Sequence, residues 1–291
     1  MDRLRRTMLY VPGSSTKMLE KGKDLDVDSL IIDLEDAVAL SQKDAARETV
    51  VKALNEIDFG NKEKNVRINA LSTPFGESDL KEVIKAKPDA FVVPKVNRAE
   101  DLLQVDALLS SLEKENGLAP GTISLHAMIE SPHAIVNINE IAASTKRLKA
   151  MLFGAADYTK ETRGKITKER LELLYPLNKM VLAARVNGID AIDSPFFDIK
   201  DTEGLIYHTN IVRNMGYDGK SVIHPSQIKP VNDIFTPTKE EVEFAKKVIE
   251  AFKQADEQGI GATVVDGQLV ERLHAEAAKR TLMIAQRAGI V

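Results

Sequence analysis

Eight short apolar runs, each followed by a longer segment of helical character, organise residues 7–225. The runs span 7–12, 28–36, 65–69, 90–95, 124–130, 149–157, 190–195 and 220–225. They are continuous in apolar residues rather than alternating, as strands buried on both faces should be. The segments between them carry helix signals. Residues 41–57 place Ala45, Val50, Val51 and Leu54 near helical spacing, with Ser41 as a cap. Residues 97–116 are amphipathic behind Asn97, and Ser131-Pro132 opens a helix over 131–144. Pro176 predicts a kink or break in a helix over 167–188. Eight strands alternating with helices predict an α/β fold, a (β/α)8 TIM barrel. An open doubly wound sheet is the alternative. It usually carries a glycine-rich phosphate loop, and the chain has neither G-x-G-x-x-G nor a Walker motif. Only VPGSSTK after the first run resembles such a loop.

The barrel is complete near residue 232, which gives a barrel domain over 1–234 and an extension over 235–291. The extension reads as a helix over 235–259, a hairpin over 261–271 turning at Asp266-Gly267, and a last helix over 272–289. It looks too small for a core of its own and is expected to act as a lid. Composition narrows the function. The chain has 291 residues, 43% hydrophobic and 29% charged, a net charge of −4 and no long basic run. That argues against a nucleic-acid partner. No run approaches a membrane span, and the N-terminus lacks the apolar core of a secretory signal. The absence of cysteine excludes disulfides, thiolate nucleophiles and Cys-ligated zinc, and fits the cytoplasm.

In a barrel, chemistry gathers where the strands end. Here the ends carry Pro12-Gly13, Glu35 and Asp36, Arg67 and Asn69, Lys95, Glu130, Asp157, Asp193-Ser194 and His224. Any one of these alone is more readily a solvated loop residue; the set carries the argument. Closure would crowd carboxylates and raise their pKa values unless a cation lies among them. Mg²⁺ takes one or two protein carboxylates and leaves other positions to water and substrate oxygens. Glu130 and Asp157, ending adjacent strands, form the best pair, with Glu35 and Asp36 in an outer shell. Arg67 and Lys95 supply positive charge for an anionic substrate or a developing oxyanion. Paired histidines at zinc spacing are absent. His126, inside an apolar run, reads as structural. His224 is open between a turn histidine and a ligand contact. Asp33 faces the pocket floor or caps a neighbouring element.

The stretches RTMLYVPGSSTKMLEKG, LIIDLEDAV, VRIN, VPKV, MIESPHAI, LFGAADYT, IDSPF, GKSVIHPSQI and VVDGQLVE occur in that order. Together they resemble the citrate lyase β-subunit-like proteins, relatives of the malyl-CoA and citramalyl-CoA lyases in the HpcH/HpaI aldolase superfamily. The resemblance implies a Mg²⁺-dependent enzyme, with Mn²⁺ as a substitute ion, that cleaves a carbon–carbon bond beside an acyl thioester. It implies Glu130 and Asp157 as metal ligands, Arg67 at the reacting carbonyl, and Glu35 and Asp36 ordering water. Tyr10, Pro12, Lys17, Lys95 and His224 fall to substrate and CoA binding. It further implies a homotrimer or hexamer whose lid completes a neighbour's site. One position departs: the family's hairpin usually ends in an aspartate that acts as general acid/base, and Glu271 stands there. Asp266 is the alternative donor. The expected function is cleavage of a citryl-, citramalyl- or malyl-CoA type 3-hydroxyacyl thioester into acetyl-CoA and a keto acid. Competing readings are an aldolase acting on free hydroxy-keto acids, a malyl-CoA thioesterase, and a β subunit served by an acyl-carrier protein. A non-catalytic barrel accounts least well for the arginine and carboxylates together.

Overall fold

The computed structural model describes residues 3–291. Eight parallel strands close a barrel in chain order. They are β1 (Thr7–Pro12), β2 (Ser29–Asp33), β3 (Glu63–Arg67), β4 (Ala90–Val93), β5 (Ser124–Ile129), β6 (Leu148–Phe153), β7 (Asp190–Asp193) and β8 (Gly219–Val222). Closure runs through Thr7 against Lys220 and Met8 against Ser221. At least one helix fills each crossover, as parallel pairing requires. The expected strands are all present, but several end earlier than the apolar runs suggested. Glu35, Asp36, Lys95, Glu130 and Asp157 therefore stand on the loops just beyond the strands.

Side-chain alternation decides what faces the barrel axis. Met8, Ile31, Val92, Met128, Leu152 and Ile192 belong to one buried cluster, with Tyr10 packed against it. Two residues further along their strands, on the same face, come Asp33 after Ile31, Glu130 after Met128 and Gly154 after Leu152. Arg67 pairs in register with Asp33 on β2 and Val92 on β4. The same periodicity that builds the apolar core thus places the polar groups above it. Below the core, Arg5 binds Glu63 through Nε (2.8 Å) and Asp190 through Nη1 (2.6 Å), and the Ser29 hydroxyl donates to Glu63 (2.6 Å). His126 is fully buried beside this group, and burial lowers its pKa to about 3, so it is a neutral part of the barrel floor.

Local expectations fail in places for identifiable reasons. Ser41 lies within a short 3₁₀ turn, Leu40–Gln42, and Gln42 precedes the helix Lys43–Glu56, so Ser41 does not cap it. Asn97 precedes the helix Ala99–Glu115 by two residues and instead receives the Ser131 hydroxyl. Ser131 does cap its helix, accepting from Ala134 N at 3.0 Å, but that helix ends at Val136 and a second runs Ile138–Ala143. The helix expected over 167–188 is interrupted just before Pro176, by a 3₁₀ turn over Leu171–Leu173. A new helix begins at Leu174, so proline occupies the first turn, where its missing N–H has no intrahelical partner to lose.

The chain divides into two compact units, Arg3–Asn232 and Asp233–Val291. The second holds the helix Lys239–Glu257, started by a reciprocal Thr238–Glu241 cap, then β9 (Ala262–Val265), β10 (Gln268–Glu271) and the helix Arg272–Arg287. Asp266 and Gly267 both have positive φ (47° and 80°), as a two-residue hairpin turn needs. Contrary to the expectation from its size, this unit buries a small cluster of its own, including Val248, Val265 and Val270.

Candidate active site at the carboxyl ends of the barrel strands

A cavity of about 430 Å³ opens where the strands end. Its polar lining comprises Tyr10, Asp33, Asp36, Arg67, Glu130 and Asp157; Met128, Pro195, Phe197 and Ile223 form an apolar wall. Arg67 is the organising cation. Its Nε and Nη2 grip the two Asp33 oxygens at 2.7 and 2.6 Å, the bidentate geometry that guanidinium and carboxylate share. Its Nη1 lies 3.2 Å from Glu35 and 3.5 Å from Asp36. The guanidinium also stacks 5.0 Å from the centre of the Tyr10 ring. Burial disfavours the charge, yet the partners win and Arg67 stays protonated.

The acidic loop after β2 is tied down from beneath. Asp33 accepts from the N–H groups of Glu35 (2.8 Å) and Ala37 (3.0 Å). Lys43 is buried and donates to the carbonyls of Leu34 and Glu35 (2.7 and 2.6 Å). Asn69 also donates to Leu34 O at 2.9 Å and is held by Asp79. Asp33 thus serves both alternatives left by the sequence: it faces the cavity floor and caps the next turn.

Glu130 and Asp157 form the other half of the site. Glu130 is 4% exposed and accepts one hydrogen bond, from Lys95 N at 2.7 Å. Its other side lies against Gly154, where an added Cβ would come within 2.7 Å of Oε2. A side chain there would displace Glu130, which explains why glycine opens this turn. Burial, with the charges of Glu35 and Asp157, pushes Glu130 up to about 7 despite Lys95 N–H and Arg67. Burial likewise raises Glu35, against the pull of Arg67 and Lys95. Among the described residues no Lys, Arg or His makes an ion pair with Glu130 or Asp157, although both line one cavity. No group of three or more metal-ligating side chains occurs among the described residues. A hard divalent cation does not require one: two carboxylates without an ion-pair partner, with open space before them, fit Mg²⁺.

A family model described as HpcH/HpaI aldolase/citrate lyase matches residues 6–225. The chain belongs to this family. Its relatives include the citrate lyase subunit beta of Leuconostoc mesenteroides subsp. cremoris, 39% identical over all of this chain and 96% of that protein. A (3S)-malyl-CoA thioesterase of Cereibacter sphaeroides is 40% identical over 97% of this chain and 94% of its own length. Among solved structures, CitE of Mycobacterium tuberculosis in complex with magnesium, acetoacetate and coenzyme A is 28% identical, with a TM-score of 0.77 and 98% of each chain covered.

Within this HpcH/HpaI barrel the remaining sequence candidates are less concentrated. Glu35 joins the cluster through Arg67 and through Lys95 Nζ, 2.8 Å away. Pro12 ends β1 half-buried, Lys17 is exposed on the helix Thr16–Gly22, and His224 is exposed. His224 accepts from Ser226 N (3.2 Å) and starts a 3₁₀ turn, so its visible function is local. None of these three lines the cavity. Asp193-Ser194 is not a free rim group. Asp193 is buried beneath Arg170, which binds it at 2.7 and 2.9 Å, and Lys220, which also donates to Ser194 O. Glu271 ends β10 in the second unit; it is exposed, and its N–H donates to His274 Nδ1 at 3.1 Å. Sequence reasoning missed Gly154 and the apolar wall. A glycine directly between an apolar strand and a helix was the available signal for the first; nothing local marked the second.

Proposed function

We propose that the chain is a Mg²⁺-dependent carbon–carbon lyase acting on a 3-hydroxyacyl-CoA thioester that carries a second carboxylate. The observation that carries this reading is the uncompensated Glu130–Asp157 pair sharing one cavity with a rigidly held arginine. Glu130 and Asp157 would hold the cation, which, when bound, supplies a Lewis acid for the hydroxy-acid half of the substrate. The first turn of the helix Ala155–Thr162 contributes Ala155 and Ala156 to the cavity lining and has no side-chain cap. Its N–H groups suit a substrate carboxylate. The hydroxyl proton leaves toward water held by Asp36 at the mouth. Its O–H electrons become the keto acid's carbonyl bond, and the broken C–C pair passes into the thioester as an enolate. Arg67 faces that oxygen and stabilises the charge. Protonation at carbon by a carboxylic acid then yields acetyl-CoA.

Two features of the relatives support the substrate class: a magnesium and coenzyme A complex in one, and a malyl-CoA activity in another. The thioesterase relative also sustains a second reading, in which water attacks the thioester and the C–C bond survives. Incubating the purified chain with citryl-, citramalyl- and malyl-CoA and Mg²⁺, then identifying products, separates them. Acetyl-CoA with a keto acid is expected. Free CoA with the intact hydroxy-diacid would select the thioesterase, and turnover only on an acyl-carrier protein would select a carrier-dependent β subunit. Absence of cysteine and a CoA substrate are consistent with the cytoplasm; no described helix is long and apolar enough to cross a membrane.

We assign the proton to Glu271 of a neighbouring copy in a homo-oligomer. Val264 and Leu269 pair across the hairpin and are 66% and 59% exposed, on the face that also bears Glu271. Such an apolar face beside a carboxylate suits a cover for another copy's cavity. Mixing Glu271→Ala with Glu130→Ala protein should restore turnover that neither has alone. No restoration after subunit exchange would place the proton donor elsewhere.

A further inference from the structure

Lys95 has a backbone that most side chains avoid: φ is 54°. Glycine adopts this region freely and asparagine tolerates it, whereas a β-branched residue is a marked outlier there. Val93 ends β4, Pro94 follows, and the left-handed step at Lys95 turns its N–H across to β5. That N–H is the donor to Glu130 Oε1, at 2.7 Å. The side chain of the same residue runs the other way, toward the loop after β2, and brings Nζ within 2.8 Å of Glu35 Oε1. One residue after β4 therefore reaches carboxylates beyond two other strands. Its side chain is 56% exposed, so packing does not hold the backbone in this conformation.

Resting on the metal reading above, we propose that Lys95 is a positioning residue with two separable functions. Its left-handed backbone aims the amide that fixes Glu130 and so sets divalent-cation affinity. Its ammonium neutralises Glu35 and so leaves more of Arg67's charge for substrate. Without the ammonium, Arg67 is the one ion-pair partner left to Glu35 among the described residues, 3.2 Å from Nη1, and more of the guanidinium's charge is spent on that carboxylate instead of on substrate. Without the left-handed backbone, Glu130 loses its one hydrogen bond and is free to turn away from Asp157. Partners of metal ligands commonly set affinity or rate by about 10–100-fold.

The two functions predict different orders in one set of variants, Lys95→Gly, Lys95→Asn and Lys95→Val, tested as the full chain. Mn²⁺ binding, read by electron paramagnetic resonance, should stay within about threefold of wild type for the glycine and asparagine variants and weaken at least about tenfold for valine. Turnover should fall at least about tenfold in all three, because all lose the ammonium. Added ethylammonium should raise turnover of Lys95→Gly without changing its Mn²⁺ affinity. If Lys95→Val does not fold, Lys95→Ala, intermediate in tolerance of positive φ, should bind Mn²⁺ more weakly than Lys95→Gly. Equal affinities across the set, or a glycine variant as weak as valine, would overturn the proposal. A wild-type chain that binds no Mn²⁺ would overturn the metal reading itself, and this inference with it.

Discussion

Glu130→Gln and Asp157→Asn should each lower Mg²⁺-dependent turnover at least about 1,000-fold, since each removes half of the proposed anchor for the cation. Both replacements keep shape and remove charge, so the loss cannot be laid to a cavity. Glu130→Gln should also be more stable than wild type without metal. The Glu130 carboxyl has a folded pKa raised to about 7, above its unfolded value. The folded state therefore binds the proton more tightly, and the charged form costs stability progressively as pH rises from about 4.5 to 7. At pH 8 the glutamine variant should gain about 3.5 kcal/mol at most, from a shift of this size at about 1.4 kcal/mol per unit. Saturating Mg²⁺ should raise the melting temperature of wild type but of neither variant. Thermal melts at pH 8 with and without Mg²⁺, beside turnover assays, check all of this. A Glu130→Gln chain that keeps wild-type turnover would refute the assignment.

Arg67→Lys should lower kcat about 100- to 1,000-fold while leaving KM much less affected, because the arginine's contact belongs to the developing oxyanion. Lysine keeps the charge but cannot reproduce the two parallel bonds to Asp33. Arg67→Met should do worse in a second way. It leaves Asp33 and Glu35 buried without that countercharge, which costs about 3–5 kcal/mol when a buried pair is broken from one side. Denaturant unfolding of both variants separates the effects: the lysine variant should remain close to wild type and the methionine variant should not. A kcat for Arg67→Lys within about threefold of wild type would show that the guanidinium geometry is not used, and equal stability of the two variants would show that the buried countercharge is not needed.

The sequence made the barrel readable because strands buried on both faces leave long apolar runs, and chain order then fixes which ends meet. The same logic exposed Glu130 and Asp157, since a carboxylate directly after a buried run is conspicuous. What it could not show were interactions set by conformation rather than residue type. Lys95 reads as a generic cation until its positive φ is known, and then its amide matters as much as its amine. Asp33 sat undecided because its two functions, salt bridge and turn cap, depend on where β3 lies. Asp193 resembled its neighbours at the rim, yet Arg170, 23 residues earlier in the chain, buries it. Pro176 marked a boundary, but as the first turn of a new helix at Leu174 and not as a bend within a longer one.

The whole account depends on a divalent cation between Glu130 and Asp157, and the most direct measurement is its location. Crystals of the full chain soaked in MnCl₂ should show one anomalous peak at the barrel mouth, bonded to an oxygen of each carboxylate. A peak bound elsewhere, or none at saturating Mn²⁺, would contradict it.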